Sequence, residues 1–226
     1  MARLARQKVL YLPMRVWDAP TRLFHWLVVL LLPACYVAAK AGLMEWHFRS
    51  GYALLALVLF RLVWGFWGSE TSRFARFLVS PVAGLRHLAQ FGRREPDMQV
   101  GHNAAGGWMV LVMLLLLAIE IGSGLCANDG LGLYEGPLAK YAGEQASDIA
   151  TVVHGWTKWV LFAAIGLHIV AIVLYAVIKK QNLVRPMITG KKRLPAATRA
   201  PRLVGPARAI LVLIVSAGVA LVVARL

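Results

Sequence analysis

The chain has 226 residues, 59% of them hydrophobic and only 15% charged, with a formal net charge of +15. A composition this apolar excludes an ordinary soluble domain and marks an integral membrane protein. Its Lys and Arg gather between the apolar runs, so the positive charge reads as cytoplasmic loops and not as a nucleic-acid surface.

Residues 1–22 form a basic cytoplasmic tail with Arg3, Arg6, Lys8, Arg15 and Arg22 against the single acid Asp18. The turn WDAPTR leads into the first apolar run, 23–39, with Pro20 and Thr21 placed to begin a helix. That run contains His25, and Pro33 stands where it can kink the helix. A basic tail, a short apolar core and Val37, Ala38 and Ala39 also resemble a cleavable leader, but further long spans follow, so the run is read as a membrane helix. A short connection leads to the second run, 46–67, long enough for a hydrocarbon core of about 30 Å. His47 opens it, and Arg61 lies fourteen residues later.

The stretch 68–101, with Arg73, Arg76, Arg86, Arg93 and Arg94, belongs inside. Its middle, SPVAGLRHLAQF, predicts an amphipathic interfacial helix with His87 in solvent. The third run, 103–125, carries Gly106, Gly107, Gly122 and Gly124, small residues that admit a neighbouring helix or a flat macrocycle. It has no internal histidine; His102 stands at its cytoplasmic mouth. Glu120, near its other end, is either a hydrogen-bonding or proton-handling acid or a residue at the water boundary. The acidic stretch 127–150 is an outer loop, and the fourth run, 151–180, carries His154, Lys158 and His168. Residues 181–208 are a basic cytoplasmic tail without an acid, and in 209–226 a short run, 209–224, reads as a fifth membrane helix, with an interfacial anchor as the alternative.

The fourteen residues between His154 and His168 return the helix to within roughly 40° of the same face and advance it by about 21 Å. Ionisable groups inside membrane helices usually face the bundle interior and mark function. With the amino terminus inside, the first and third helices run outward and the second and fourth inward. His25 and His168 then share an inner level, and His47 and His154 an outer one. A single histidine at a helix end is more often interfacial than a ligand, but two facing pairs at two depths suit axial ligation of haem iron from both sides of its plane. Arg61 and Lys158 are then either partners of haem propionates or cations that snorkel to the headgroups. His102, Asn103 and Arg22 are candidates for an inner quinone pocket by location. With two cysteines and no C-x-x-C-H, covalent haem attachment and thiolate clusters lack support. Cys35 and Cys126 fall near the outer helix ends, where a disulfide is conceivable and free thiols are the expected state.

The segments PTRLFHW, WHFRSGYALLALVLFRLVWGFWG, GHNAAGG, HGWTKWVLFAAIGLH and NLVRPMITGKKR resemble the bacterial cytochrome b561 family, which includes the b-type cytochrome subunit of nickel-iron hydrogenases. The resemblance covers about residues 16–193. It implies an all-α integral membrane fold, with a four-helix domain over 23–180 that holds two b-type haems. His25 and His168 would ligate the inner haem and His47 and His154 the outer, with electrons exchanged with membrane quinone. Ala104 stands where the family often has proline, and the fifth helix lies outside the common bundle.

The expected function is transmembrane electron transfer between the quinone pool and a redox partner: a periplasmic hydrogenase, a dehydrogenase or a cytochrome c. The expected location is the bacterial inner membrane, with the amino terminus cytoplasmic and a homo-oligomer left open. Bis-histidine ligation fills both axial positions, so catalysis at iron is not expected. A free-standing superoxide:quinone oxidoreductase ranks second, because the short acidic outer loop offers no cationic funnel. A zinc-type transporter would need a further ligand, for which only Glu120 is a loose candidate, and a structural anchor would not need aligned histidines.

Overall fold

A computed structural model describes residues 10–92 and 98–226; the expectations for Arg3, Arg6, Lys8, Arg93 and Arg94 lie outside the described residues. In chain order the elements are strand β1 (Tyr11–Arg15), helices α1 (Ala19–Lys40) and α2 (Met44–Trp67), a 3-10 turn (Glu70–Ser72), α3 (Phe74–Phe77), α4 (Pro81–Ala89), α5 (Ala104–Cys126), α6 (Ala139–Ala142), α7 (Glu144–Val177), α8 (Val184–Thr189), strand β2 (Lys191–Pro195) and α9 (Pro206–Val223). Five of them, α1, α2, α5, α7 and α9, are long and apolar enough to cross a membrane.

Caps, more than hydropathy, set where these helices begin. Asp18 caps α1: its Oδ1 accepts the Thr21 N–H at 2.8 Å, and Pro20 occupies the first turn, where no N–H is needed. The helix therefore starts four residues before the apolar run. Pro33 lies inside α1 without ending it. Asn103 caps α5 through an Oδ1 that accepts the Gly106 N–H at 2.7 Å. Helix α7 starts at Glu144, after Gly143 at φ 80°, a conformation that glycine adopts without strain. About two helical turns thus stand in a stretch expected to be loop.

In a bilayer the helices gain little from excluding water from one another and associate by close packing. Helix α1 packs on α2, α5 on α7, and α2 on α5. A central cluster of Val58, Leu114, Leu117 and Leu161, with Phe24, Val28 and Leu32 against it, joins the four. Helix α9 lies outside this bundle on α2, where Ala209 and Val212 meet Phe60 and Trp64. Arg208 Nη1 donates to the Trp67 carbonyl at 3.2 Å at its start, and Lys140 Nζ donates to the Leu226 carbonyl at 2.5 Å at its end. Helix α9 thus has contacts at both of its ends, and it is long and apolar enough to cross a membrane.

The two basic tails are not loose where they are described. Strands β1 and β2 pair antiparallel, from Tyr11 opposite Pro195 to Arg15 opposite Lys191. The Val16 and Trp17 N–H groups continue the contact by donating to the Gly190 carbonyl at 2.8 and 3.2 Å. Val16, Trp17 and Leu194 are buried together, with Val100 against them. From α1, Arg22 Nη1 donates to the Ile188 carbonyl and Trp26 Nε1 to the Met187 carbonyl at 3.1 Å. This ribbon, absent from the all-α expectation, closes the basic end of the bundle.

Candidate functional site

Toward the acidic end, the first turn of α2 and the body of α7 bring His47 and His154 together, ring centroids 6.1 Å apart and planes at 83°. His47 Nδ1 lies 3.1 Å from the Cys35 carbonyl, and His154 Nδ1 lies 2.8 Å from the Glu120 carbonyl. A carbonyl only accepts, so each Nδ1 carries the proton and each Nε2 keeps its lone pair for a metal. Both rings border a cavity of 530 Å³, lined also by Gly51, Glu120, Gly124 and Lys158. A Cβ on Gly124 would stand 2.9 Å from His154 Cε1, so only glycine lets α5 approach this ring so closely. Cys35 Sγ is 3.3 Å from His47 Nδ1, and both cysteines are free thiols. Glu120 is buried, its Oε1 3.4 Å from His154 Nδ1, while its Oε2 is enclosed with no hydrogen-bond partner among the described residues.

These residues fit a haem. With metal–nitrogen bonds of about 2 Å and about 1 Å from nitrogen to ring centre, two imidazoles on opposite sides of one metal would have centroids ~6 Å apart, and the observed separation is 6.1 Å. Among the described residues no group of three or more His, Cys, Asp or Glu side chains is placed to hold a metal ion together.

Toward the basic end, His25 on α1 and His168 on α7 lie within electrostatic reach of each other. His25 Nδ1 is enclosed without a partner among the described residues, and its ring meets Trp26 edge-on at 4.9 Å. Arg61 is 3% exposed, so it does not snorkel. Its guanidinium lies over Phe74 and Phe77, at 5.1 and 5.9 Å, and its Nη1 is enclosed and unpartnered among the described residues. A buried cation with a free N–H suits an arriving carboxylate. Lys158, at the other level, lies over Trp159 at 5.7 Å and borders the cavity.

The other residues singled out at this end are placed as follows. His102 is wedged between Trp17 and Phe77 at centroid distances of 4.7 and 4.8 Å, with Nδ1 enclosed. Burial, then the neighbouring Arg61 and His168, push its imidazole down to about 3, so it is neutral at pH 7. His87 is not simply solvated: its Nε2 meets the Tyr175 hydroxyl at 2.7 Å. Asn103 and Arg22 serve the framework. Asn103 Nδ2 donates to the same hydroxyl at 2.8 Å while its oxygen caps α5, and Arg22 Nε donates to the Asp18 carbonyl at 3.4 Å beside its bond to Ile188.

Sequence reasoning gave no role to Asp18, whose Oδ2 accepts from Trp64 Nε1 at 3.0 Å, or to Tyr175 and Cys35. Only Asp18 carried a usable signal, as an N-cap residue ahead of Pro20 and Thr21.

Apolar helices that enclose paired imidazoles around a cavity define a class: the chain is a multi-pass membrane cytochrome b, a haem protein of electron transfer. It is 28% identical to a probable Ni/Fe-hydrogenase B-type cytochrome subunit of Bradyrhizobium diazoefficiens, over 79% of this chain and 85% of that one. Proteins of the same description from Azotobacter vinelandii and Azotobacter chroococcum are 25% and 26% identical, over 77% of this chain and 86% of theirs. The chain belongs to the prokaryotic cytochrome b561 family, whose model matches residues 16–190. No solved structure matches it significantly.

Proposed function

We propose that the chain holds two b-type haems, one between His25 and His168 and one between His47 and His154, and carries electrons across the bacterial inner membrane between quinone and a redox partner. The observation that carries this reading is the His47–His154 pair, facing at 6.1 Å with both Nδ1 atoms at main-chain carbonyls. A haem held by His47 and His154 would supply one-electron transfer.

The protein's own groups set the conditions. The Cys35 and Glu120 carbonyls hold the Nδ1 protons, fix the ring planes and make each Nε2 more basic. Arg61 and Lys158 bring positive charge to the two levels, where propionates would be held. A quinone at the basic end would meet neutral His102, with Arg22 and Asn103 holding the walls around it. The bias of Lys and Arg toward the end with both tails supports a cytoplasmic position for that end and for the amino terminus. The partner then docks at the acidic end; the similarity to hydrogenase cytochrome subunits makes a hydrogenase the leading candidate.

The test is a reduced-minus-oxidised visible spectrum with a haem-to-protein ratio. The wild-type chain is expected to hold two haems. H47A and H154A should each lose the same haem, and H25A and H168A the other. Full haem content in both H47A and H154A would overturn the assignment, and reduction by a quinol analogue tests the donor.

A further inference from the structure

A second charged cavity lies apart from the histidines, where α2 ends and the chain returns to begin α9. Glu70, Arg73, Arg76, Arg199 and Arg202 line a space of 260 Å³. Four guanidinium groups there face one carboxylate. That carboxylate is already engaged: Glu70 Oε2 accepts the Arg202 N–H at 3.0 Å, and Oε1 is 3.4 Å from Arg76 Nη2. The Glu70 N–H in turn donates to the Arg202 carbonyl at 2.9 Å, which clasps the two segments and fixes the cavity between them. The Arg202 N–H, and then the charges of Arg76, Arg199 and Arg202, hold the Glu70 carboxyl below the usual range against a desolvation that opposes them. Arg73 Nε donates to the Gly68 carbonyl at 2.8 Å, leaving the rest of its guanidinium for other acceptors. Among the described residues the side chains of Arg199 and Arg202 have no ion pair within bonding distance.

The position of the cavity says what kind of anion can arrive. Phe66 and Trp67, at the last turn of α2, are 71% and 65% exposed, the placement of side chains at a membrane surface. Arg208, in the first turn of α9, is tied to the Trp67 carbonyl, so the cavity opens beside two membrane helices at headgroup depth. Its volume is below the ~300–1,000 Å³ of sites that enclose drug-sized molecules, which favours a small charged group over a ring system. Guanidinium groups match phosphate oxygens in fork geometry and carry little hydration to strip.

We propose that this cavity binds the headgroup of an anionic phospholipid. The phosphodiester sits among Arg73, Arg76, Arg199 and Arg202, and the acyl chains run beside α9. The lipid thereby completes the seat of α9 on α2 and balances charges that the single carboxylate leaves in excess.

The experiment uses the full haem-loaded chain in detergent, titrated with phosphatidylglycerol, phosphatidylcholine or inorganic phosphate and read by native mass spectrometry and melting temperature. Phosphatidylglycerol should remain bound and raise the melting temperature; phosphatidylcholine and millimolar inorganic phosphate should do neither. R199Q/R202Q should weaken phosphatidylglycerol binding on the order of thirtyfold, and K191Q/R193Q, altered outside the cavity, should leave it unchanged. The single R199Q, which removes no hydrogen bond from the clasp, should lose several-fold and serves if the double variant loses its haem spectrum. Equal retention of the two lipids, full displacement by phosphate, or unaltered phosphatidylglycerol affinity in the cavity variants would overturn the proposal.

Discussion

Replacing Gly124 with alanine tests the outer histidine pair without touching either histidine. The added Cβ would lie 2.9 Å from His154 Cε1 and 3.0 Å from Nδ1. Carbon atoms in contact sit about 3.5 Å apart or more, so the ring must retreat by roughly 0.6 Å. Its bond to the Glu120 carbonyl is 2.8 Å long, and a retreat of that size takes it past the ~3.2 Å limit of a sound hydrogen bond. Losing that bond costs about 1 kcal/mol, and a strained rotamer costs about as much again. The sum, roughly 1–3 kcal/mol, corresponds to a hold on the cofactor at that level weaker by about five- to 150-fold, in line with the loss of a bond that orients a metal ligand. The assay is haem content and midpoint potential by spectroelectrochemistry, with G122A beside it, since a Cβ at Gly122 meets nothing within 4 Å. One haem should weaken in G124A, and G122A should match the wild type. A wild-type spectrum and potential in G124A, or equal damage in G122A, would refute the reasoning.

Other consequences are equally open to measurement. D18A removes the cap of α1 and leaves the buried Trp64 N–H unpaired, at an expected cost of about 2–4 kcal/mol, read as a lower melting temperature in detergent; an unchanged melting temperature would contradict this. His102 is held neutral in the fold by a pKa of about 3, while the unfolded chain takes up a proton below its ordinary value of 6.5. Stability should therefore fall as the pH drops from 6.5 toward 3, by at most about 1.4 kcal/mol per pH unit from this group, and H102F should flatten that part of the slope. Thermal inactivation of the two proteins between pH 7 and pH 5 decides the point. Y175F deletes a hydroxyl that meets His87 at 2.7 Å and Asn103 at 2.8 Å, and should loosen α4 by about 1–2 kcal/mol, seen as faster hydrogen exchange in α4.

What was legible in the sequence is what repeats locally. The membrane helices announce themselves as apolar runs, and the alternating helix directions put His47 and His154 at one level, where their ring centroids lie 6.1 Å apart. Helix ends were less legible, because hydropathy marks the oily stretch while caps such as Asp18 and Gly143 mark the helix. The remaining contacts were out of reach. His87 meets Tyr175 across 88 residues of sequence and Trp26 meets Met187 across 161, and no periodicity links such distant positions. Arg61 shows the limit most clearly: its depth was evident, but its burial over Phe74 and Phe77 depends on how the chain turns back after α2.

The ribbon between β1 and β2 also orders events during synthesis. Tyr11 leaves the ribosome 184 residues before its partner Pro195, a wait of roughly 10–40 s at ordinary elongation rates. Through that interval four hydrophobic segments are delivered into the bilayer while the first strand has nothing to pair with. The ribbon is therefore a latch that closes only on a completed bundle, and a chain cut short before Lys191 would expose an unmatched edge for quality-control proteases to recognise.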